Sequence, residues 1–553
     1  MARARARFGA GQVPDQEKRN DRTMTTQSST VSTSQINPAP APSWPADVNR
    51  RGLVQASSWQ RLRAAWGCGL LALLLALPLV AQAQFDFTTN NGAITIAKYT
   101  GTGGAVVIPS ETNGLPVDSI AIWAFRDFTN ITSVTIPDSI TRIGVEAFYG
   151  CTGLTDVTIP GSVTNIERGP FTRCDSLTTI SVEASNTAYC SLDGVLFNKA
   201  QTTLVQAPLA MTGSYVVPSG VTNIAYAAFY YCVGLTNITL PSSVVTVEDW
   251  AIASCESLTK LTIPNGVQNF KIWAVAYCFR LSSVTIPGSV ASVGDYAFRG
   301  CTNLASATIS NGVASLGFQA FDGCDSLTSV AIPASVTNIG ASAFADCFAL
   351  TAITVAALNP NYASTNGALF NKSLTTLLQC PGGKAGSYTI PGGVTNIGAY
   401  AFSGCPRLSN VTIPGSVTSI QNYAFYYCPN LTGVYFTGNA PTPRDTMFSG
   451  SSQVIVYYLP GTTGWSGIYS KRPTVLWNPQ VLSSGPSFGV RTNRFGFIIT
   501  GSSNLVIVVE AATNLLKSTW VPVGTNTLTS GASYFSDAGW TNYRARYYRL
   551  RSP

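Results

Sequence analysis

Ten cysteines recur at a fixed interval, and that interval constrains the fold more than any other feature of the chain. They fall at positions 151, 174, 232, 255, 278, 301, 324, 347, 405 and 428. Every step is 23 residues except two, which are both 58. Prolines at 137, 160, 218, 241, 264, 287, 333, 391 and 414 keep the same count, and Ser310 fills the one missing place. The stretches IPGSVTNIERGPFTRCDSLTTI from Ile159, IPGSVASVGDYAFRGCTNLASA from Ile286 and IPGSVTSIQNYAFYYCPNLTGV from Ile413 align without gaps. Counting a first, cysteine-less unit around Pro109–Phe128 makes eleven units. A chain of 553 residues exceeds one ordinary domain, and a fixed short period identifies a stack of repeats instead.

One unit reads L-T-x-V-T-I-P, a short strand stopped by a proline that cannot continue a ladder. A turn follows, then I-G-x-x-A-F-x-x-C, which predicts one short helical or 3-10 segment. Ile, Ala-Phe and Cys point inward with the Leu, Val and Ile of the strand. No unit can bury that face alone, so neighbours must stack into a continuous core. The cysteines could pair as disulfides, because stacked neighbours lie within bridging range. Their shared inward orientation beside phenylalanine favours a ladder of buried free thiols. No CxxC pair exists to suggest zinc.

Each 58-residue step carries 35 extra residues, placed at about 181–213 and 354–386. NTAYCSLDGVLFNKAQTTLVQAP and NPNYASTNGALFNKSLTTLLQCP lie 173 residues apart, so a block of that length is duplicated. Gly194 and Gly367 precede apolar runs, and each insert reads as a β-hairpin.

The chain has no histidine. This excludes a Ser-His-Asp triad, a Cys-His pair, an HExxH site and any imidazole ligand. Paired carboxylates could still hydrolyse glycosides, but the acidic residues scatter, as at Asp138, Asp156, Asp295 and Asp322. The formal charge of +8 is concentrated near the N-terminus. Residues 1–83 hold ten Lys/Arg and four Asp/Glu, leaving 23 against 21 beyond them. That balance leaves no electrostatic footprint for nucleic acid.

Arg61 and Arg63 precede an uncharged run from Ala64 to Val80, and Ala81-Gln82-Ala83 supplies small residues for a peptidase. Residues 61–83 therefore read as a signal peptide. A membrane anchor is the rival reading, since 17 residues almost span a bilayer; Pro78 and the A-x-A speak against it. Residues 1–60, rich in Arg, Ser, Thr and Pro, read as a disordered extension or a misplaced start.

The combined pattern LTxVTIPxSVTxIGxxAFxxC resembles the BspA-type leucine-rich repeats of bacterial surface and secreted proteins, over about residues 94–436. The resemblance implies a leucine-rich-repeat solenoid with a parallel sheet along one face, and adhesion or ligand binding rather than catalysis. The solenoid is placed at 84–440, and 441–480 resembles the closing cap behind such arrays. Residues 481–553 leave the register. FGFIIT, LVIVVEA, WVPVGT and ARYYRL predict strands of a small β-sandwich packed through Trp520, Phe535, Trp540 and Tyr547.

Two surface rows are candidates for recognition. Thr135, Thr158, Thr239, Thr262, Thr285, Thr308, Thr389 and Thr412 share one strand position. Such a row could suit ice or a flat crystalline surface, but threonine also simply favours exposed strand sites. The residue before each Ala-Phe reads Trp123, Glu146, Gly169, Ala227, Trp250, Trp273, Tyr296, Gln319, Ser342, Tyr400 and Tyr423. A position taking Glu, Gln, Gly and Trp is not core. Trp250, Trp273 and Tyr296 fall in consecutive units and predict an exposed aromatic stripe for sugars or peptides, bound by face contact. The plainer alternative is that they lean over the next coil and cap its packing. The sequence thus reads as an exported, non-enzymatic binding or adhesion protein for extracellular protein or carbohydrate. It has no cofactor, no metal and no membrane span in the mature chain. A passive envelope or matrix component, and a carbohydrate-active enzyme using acidic residues, are the alternatives.

Overall fold

The computed structural model describes residues 84–90, 92–515 and 519–553. The extension over 1–60 and the leader over 61–83 lie outside them. The described residues belong to the unit Cys68–Pro553. They form a solenoid of β-coils followed by a small two-sheet module.

Each coil carries two strands, one of about four residues and one of two. In one unit these are Ser283–Ile286 and Ser292–Val293. The first pairs in parallel with the next unit as Ser283↔Ser306, Val284↔Ala307, Thr285↔Thr308 and Ile286↔Ile309. The second pairs as Ser292↔Ser315 and Val293↔Leu316. The 23-residue period is therefore the ladder register itself. Along Ser283–Ile286 exposed and buried residues alternate, as a one-sided sheet requires. Val284 and Ile286 enter the core, while Thr285 and its column face outward. Pro287 ends the strand, and its carbonyl accepts the Val290 N–H at 3.1 Å to turn the chain.

The A-F-x-x-C segment is not the helical or 3-10 turn that the sequence predicts. It is a run of turns, and the one 3-10 helix among the described residues is Trp540–Asn542. The reason lies in the backbone. The residue before Ala-Phe has positive φ in all eleven units, Trp250 at 60° and Trp273 and Tyr296 at 59°. So does the residue before each repeat cysteine, as at Ser254, Tyr277 and Gly300. A left-handed residue every few positions cannot propagate a right-handed helix. Alternate amides instead bridge to the next coil. Trp250, Ile252 and Ser254 donate to Ile272, Ala274 and Ala276 at 3.1, 2.8 and 2.8 Å.

Inside, phenylalanines and thiols form two parallel columns. Phe298, Phe321 and Phe344 stack at 5.2 and 5.6 Å. Val275 is smaller than the phenylalanine of other units, and Phe270 of the same unit fills the space, stacking on Phe298 at 5.5 Å. The repeat cysteines are buried free thiols. Most donate to a carbonyl of the preceding coil, for example Cys324 Sγ to Phe298 O at 3.3 Å and Cys347 Sγ to Phe321 O at 3.2 Å. Burial pushes the Cys151 thiol up to about 12.

A hairpin of Phe85–Asn90 and Ala93–Tyr99 covers the first open face, with Tyr99 stacked on Phe125 at 5.3 Å. At the other end the array runs one coil beyond the eleven counted in sequence. Phe448 continues the ring column, 5.3 Å from Phe425. Ser451 takes the cysteine position, donating to Phe425 O at 2.7 Å.

Each insert is a hairpin plus a third strand that rejoins the ladder: Tyr189–Leu192, Val195–Asn198 and Thr203–Gln206, then Tyr362–Thr365, Ala368–Asn371 and Thr376–Gln379. Asp193-Gly194 and Asn366-Gly367 turn both hairpins at φ of 51° and 78°, the type I′ geometry suited to strand twist. Each insert coil lacks the outer turn, so units 58 residues apart touch there. The Arg173 guanidinium lies 4.0 Å from the Tyr231 ring, and Ser403 Oγ lies 3.4 Å from Asp346.

In the last module, one sheet holds Gln480–Leu482, Gly489–Arg491, Arg494–Thr500 and Ala532–Asp537. The other holds Val506–Ala512, Val521–Thr527 and Tyr547–Arg551. Phe497, Ile499, Leu505, Ile507, Val509, Leu528 and Phe535 form its core, joined by Tyr435 and Tyr457 of the solenoid. Phe535 packs as expected, but Trp520, Trp540 and Tyr547 stay outside this core. Alternation along Tyr547–Arg551 turns Tyr547 to solvent and Tyr548 inward, 5.9 Å from Phe535. Among the described residues no helix is long and apolar enough to cross a membrane.

Candidate aromatic recognition surface

The left-handed residue of each outer turn throws its side chain away from the core, and identical turns place those side chains in a column. A non-glycine residue in this conformation costs about 1–2 kcal/mol, so ring packing along the column offsets part of that strain. Trp250 and Trp273 stack at 4.8 Å with 9° between planes. Trp273 and Tyr296 stack at 4.2 Å and 6°. Tyr230 meets Trp250 edge-on at 5.7 Å, and Phe318 meets Tyr296 edge-on at 5.3 Å.

The structure brings the three expected residues together in one stack, with the middle ring covered by its neighbours. Trp273 is only 8% exposed, because both its faces are covered by neighbours. Face-on stacking with a sugar is therefore closed at Trp273, and the column offers edges to solvent. Rings and guanidiniums from the x-x of A-F-x-x-C widen it. Arg299 sits 5.5 Å from the Trp273 ring and 5.4 Å from Tyr296, and Tyr277 stacks on Trp273 at 5.7 Å. Further toward the N-terminus, Arg126 lies 5.1 Å from Trp123 and 5.3 Å from Tyr149. Sequence reasoning missed Tyr230, Tyr277 and Arg299. The signal was the Tyr-Tyr-Cys, Tyr-Cys and Phe-Arg-Gly-Cys that end the units at Cys232, Cys278 and Cys301, at positions read as helical.

The ribbon ends at an acidic group. Arg299 Nε pairs with Asp322 at 3.0 Å, and Asp325 and Asp346 lie close enough to act on it. Burial pushes the Asp322 carboxyl up to about 7. Arg299 opposes that shift, and the neighbouring carboxylates reinforce it. Asp325 is pushed up to about 6 by burial and by Asp346. The folded chain thus holds protons that the unfolded chain releases near its ordinary value of 3.8. This cluster costs no stability below that pH, and its cost grows as pH rises to about 7. Raising the pH from 5 to 8 is expected to remove about 2 kcal/mol of stability, allowing for solvent screening. Asp322→Asn should flatten that part of the profile in denaturant titrations; an unchanged slope would place the effect elsewhere.

The threonine column lies on the other strand face, its residues outward in register, as in Thr239↔Thr262 and Thr389↔Thr412. Among the described residues no group of His, Cys, Asp and Glu could hold a metal ion.

The sequence matches the BspA type Leucine rich repeat region (6 copies) over residues 108–203, 212–288, 271–381 and 382–466. No curated protein matches the chain. Among solved structures, a leucine rich cell surface protein of Faecalibacterium prausnitzii is 26% identical, over 69% of this chain and 88% of its own, with a TM-score of 0.36. A leucine-rich repeat protein of Bacteroides ovatus is 20% identical over 71% and 98%, with a TM-score of 0.34. The pneumococcal vaccine antigen PcpA is 15% identical over 71% and 97%, with a TM-score of 0.33. At such TM-scores these structures carry no argument of their own, and the assignment rests on the family match and on the register of the ladders. The chain belongs to the BspA-type leucine-rich repeat family.

Proposed function

We propose that this chain is an exported, non-enzymatic binding or adhesion protein that recognises an extracellular protein or carbohydrate through its solenoid surface. Trp250, Trp273 and Tyr296 form the centre of the contact. The observation that carries the reading is the ribbon of stacked rings interleaved with Arg299. Trp, Tyr and Arg are the side chains that most often dominate binding energy at protein interfaces. A stack locked by its own neighbours also loses little side-chain freedom on binding. Closed ring faces favour a protein ligand over a sugar, because a sugar needs an open face.

The test is an array of glycans and matrix proteins probed with the purified chain. Discrete hits competed by soluble ligand support the reading. Trp250→Ala, at a half-buried end of the stack, is expected to weaken such a hit about tenfold or more, the loss of one interface anchor, with the circular dichroism spectrum retained. A blank array from folded protein, together with concentration-dependent self-assembly, would overturn it in favour of a passive structural component.

A further inference from the structure

The two inserts share a framework, but the cleft beside the first is lined by charges that its counterpart beside the second lacks. Where the first insert coil lacks its outer turn, a cleft of about 570 Å³ opens between the hairpin and the flanking units. In both copies the hairpin is anchored alike. Tyr189 Oη accepts the Ile166 amide at 2.8 Å, and Tyr362 Oη accepts the Ile339 amide at 2.8 Å. Half of the neutral lining recurs 173 positions on, as with Tyr189 as Tyr362, Asn198 as Asn371, Thr203 as Thr376 and Asn223 as Asn396, while Val145 and Tyr226 become Phe318 and Ala399.

The charged residues do not recur. Glu167, Arg168, Glu248 and Asp249 of the lining become Gly340, Ala341, Gln421 and Asn422. Arg142 and Glu146 beside it become Ser315 and Gln319. The same coil geometry therefore forms without any of these six charges, so folding does not require them. Several have local partners: Arg142 pairs with Glu167, and Glu146 accepts Trp123 Nε1 at 2.9 Å. Glu248 forms no ion pair among the described residues, and Arg168 only overlies the Tyr226 ring at 5.7 Å. Four carboxylates face two guanidiniums, an excess of negative charge around a half-buried cleft. Val145, Ile166, Val205 and the Tyr189 ring supply an apolar wall.

We propose that the first-insert cleft binds a basic side chain, lysine or arginine, presented by a peptide segment of a partner protein. The apolar wall takes the aliphatic stem, as long cationic side chains bury their stems on apolar surface, and Glu248 and Asp249 take the head group. This site is separate from the aromatic ribbon and does not rest on it.

The experiment titrates the full chain with penta-lysine and penta-arginine peptides by calorimetry. Binding is expected at one site and falls steeply with salt. Glu248→Gln with Asp249→Asn should weaken it at least about tenfold, the loss of two charge-assisted contacts. Those side chains already fold in the second copy, and asparagine keeps the oxygen that accepts the Ile272 amide at 3.0 Å from Asp249. The reciprocal Gln421→Glu with Asn422→Asp should add a second site. Equal binding by the Gln/Asn variant, or no binding by either peptide, overturns the proposal. Spermidine binding as tightly as the peptides overturns the peptide as occupant.

Discussion

Phe321→Ala is expected to destabilise the solenoid by about 3–5 kcal/mol, the range for deleting a buried aromatic ring. Phe321 is fully buried, and its ring contacts Phe298 at 5.2 Å and Phe344 at 5.6 Å. The substitution therefore leaves a void that opens onto two unit–unit interfaces. In a repeat array, stability is close to a sum of unit and nearest-neighbour terms. A ring in the middle of a column weakens two of those terms, and a ring at its end weakens one. Phe448, the last ring, stacks on Phe425 alone at 5.3 Å, so Phe448→Ala should cost about half as much. Urea unfolding of the two variants beside the parent chain checks both the size and the ratio. Equal losses would show that the rings stabilise their own coils rather than the stack.

The ladder register was legible because the period is a physical length. One coil must return each strand to hydrogen-bonding distance from its predecessor, so Pro287 and Ser310 sit one register step apart in sequence and in space. The inserts were legible for a similar reason, since Asp193-Gly194 and Asn366-Gly367 are turn pairs that need left-handed φ. What misled was the A-F-x-x-C segment. Its apolar spacing matches a short helix, and nothing in an aromatic residue such as Trp250 announces a positive φ. Gly169 in the Trp250 column, and Gly150, Gly300, Gly323 and Gly404 at the second x, were the local hints. The same segment sets the candidate surface. That Trp250, Trp273 and Tyr296 form one row was legible from the 23-residue spacing; how far neighbours cover each ring was not. The left-handed turn aligns them face to face, which closes the middle ring. In the last module, choosing Tyr547 over Tyr548 was a one-residue error of strand parity, which inverts every side chain on the strand.

Asn359→Ala is expected to cost about 3–5 kcal/mol, although it removes only an amide group. Asn359 is fully buried, and both ends of its side chain are in use. Nδ2 donates to Pro333 O at 2.9 Å and Val336 O at 2.8 Å, while Oδ1 accepts from the amides of Asn361 at 3.0 Å and Tyr362 at 2.8 Å. Alanine strands four backbone groups in a site that excludes water. Asn186 makes the same four contacts in the first insert, to Pro160, Val163, Ala188 and Tyr189. The Asn186→Ala loss should therefore be similar. Because five units separate the two sites, the losses should add in the double variant. Aspartate separates hydrogen bonding from packing. It keeps the shape of asparagine but points a second oxygen at two carbonyls, so Asn359→Asp should be at least as damaging as alanine at pH 7. It should partly recover near pH 4, where a protonated carboxyl can donate to one carbonyl. Denaturant midpoints for the three variants at both pH values check this. If aspartate equals the parent chain at pH 7, the asparagine acts by filling space, and the insert is anchored by Tyr362 instead.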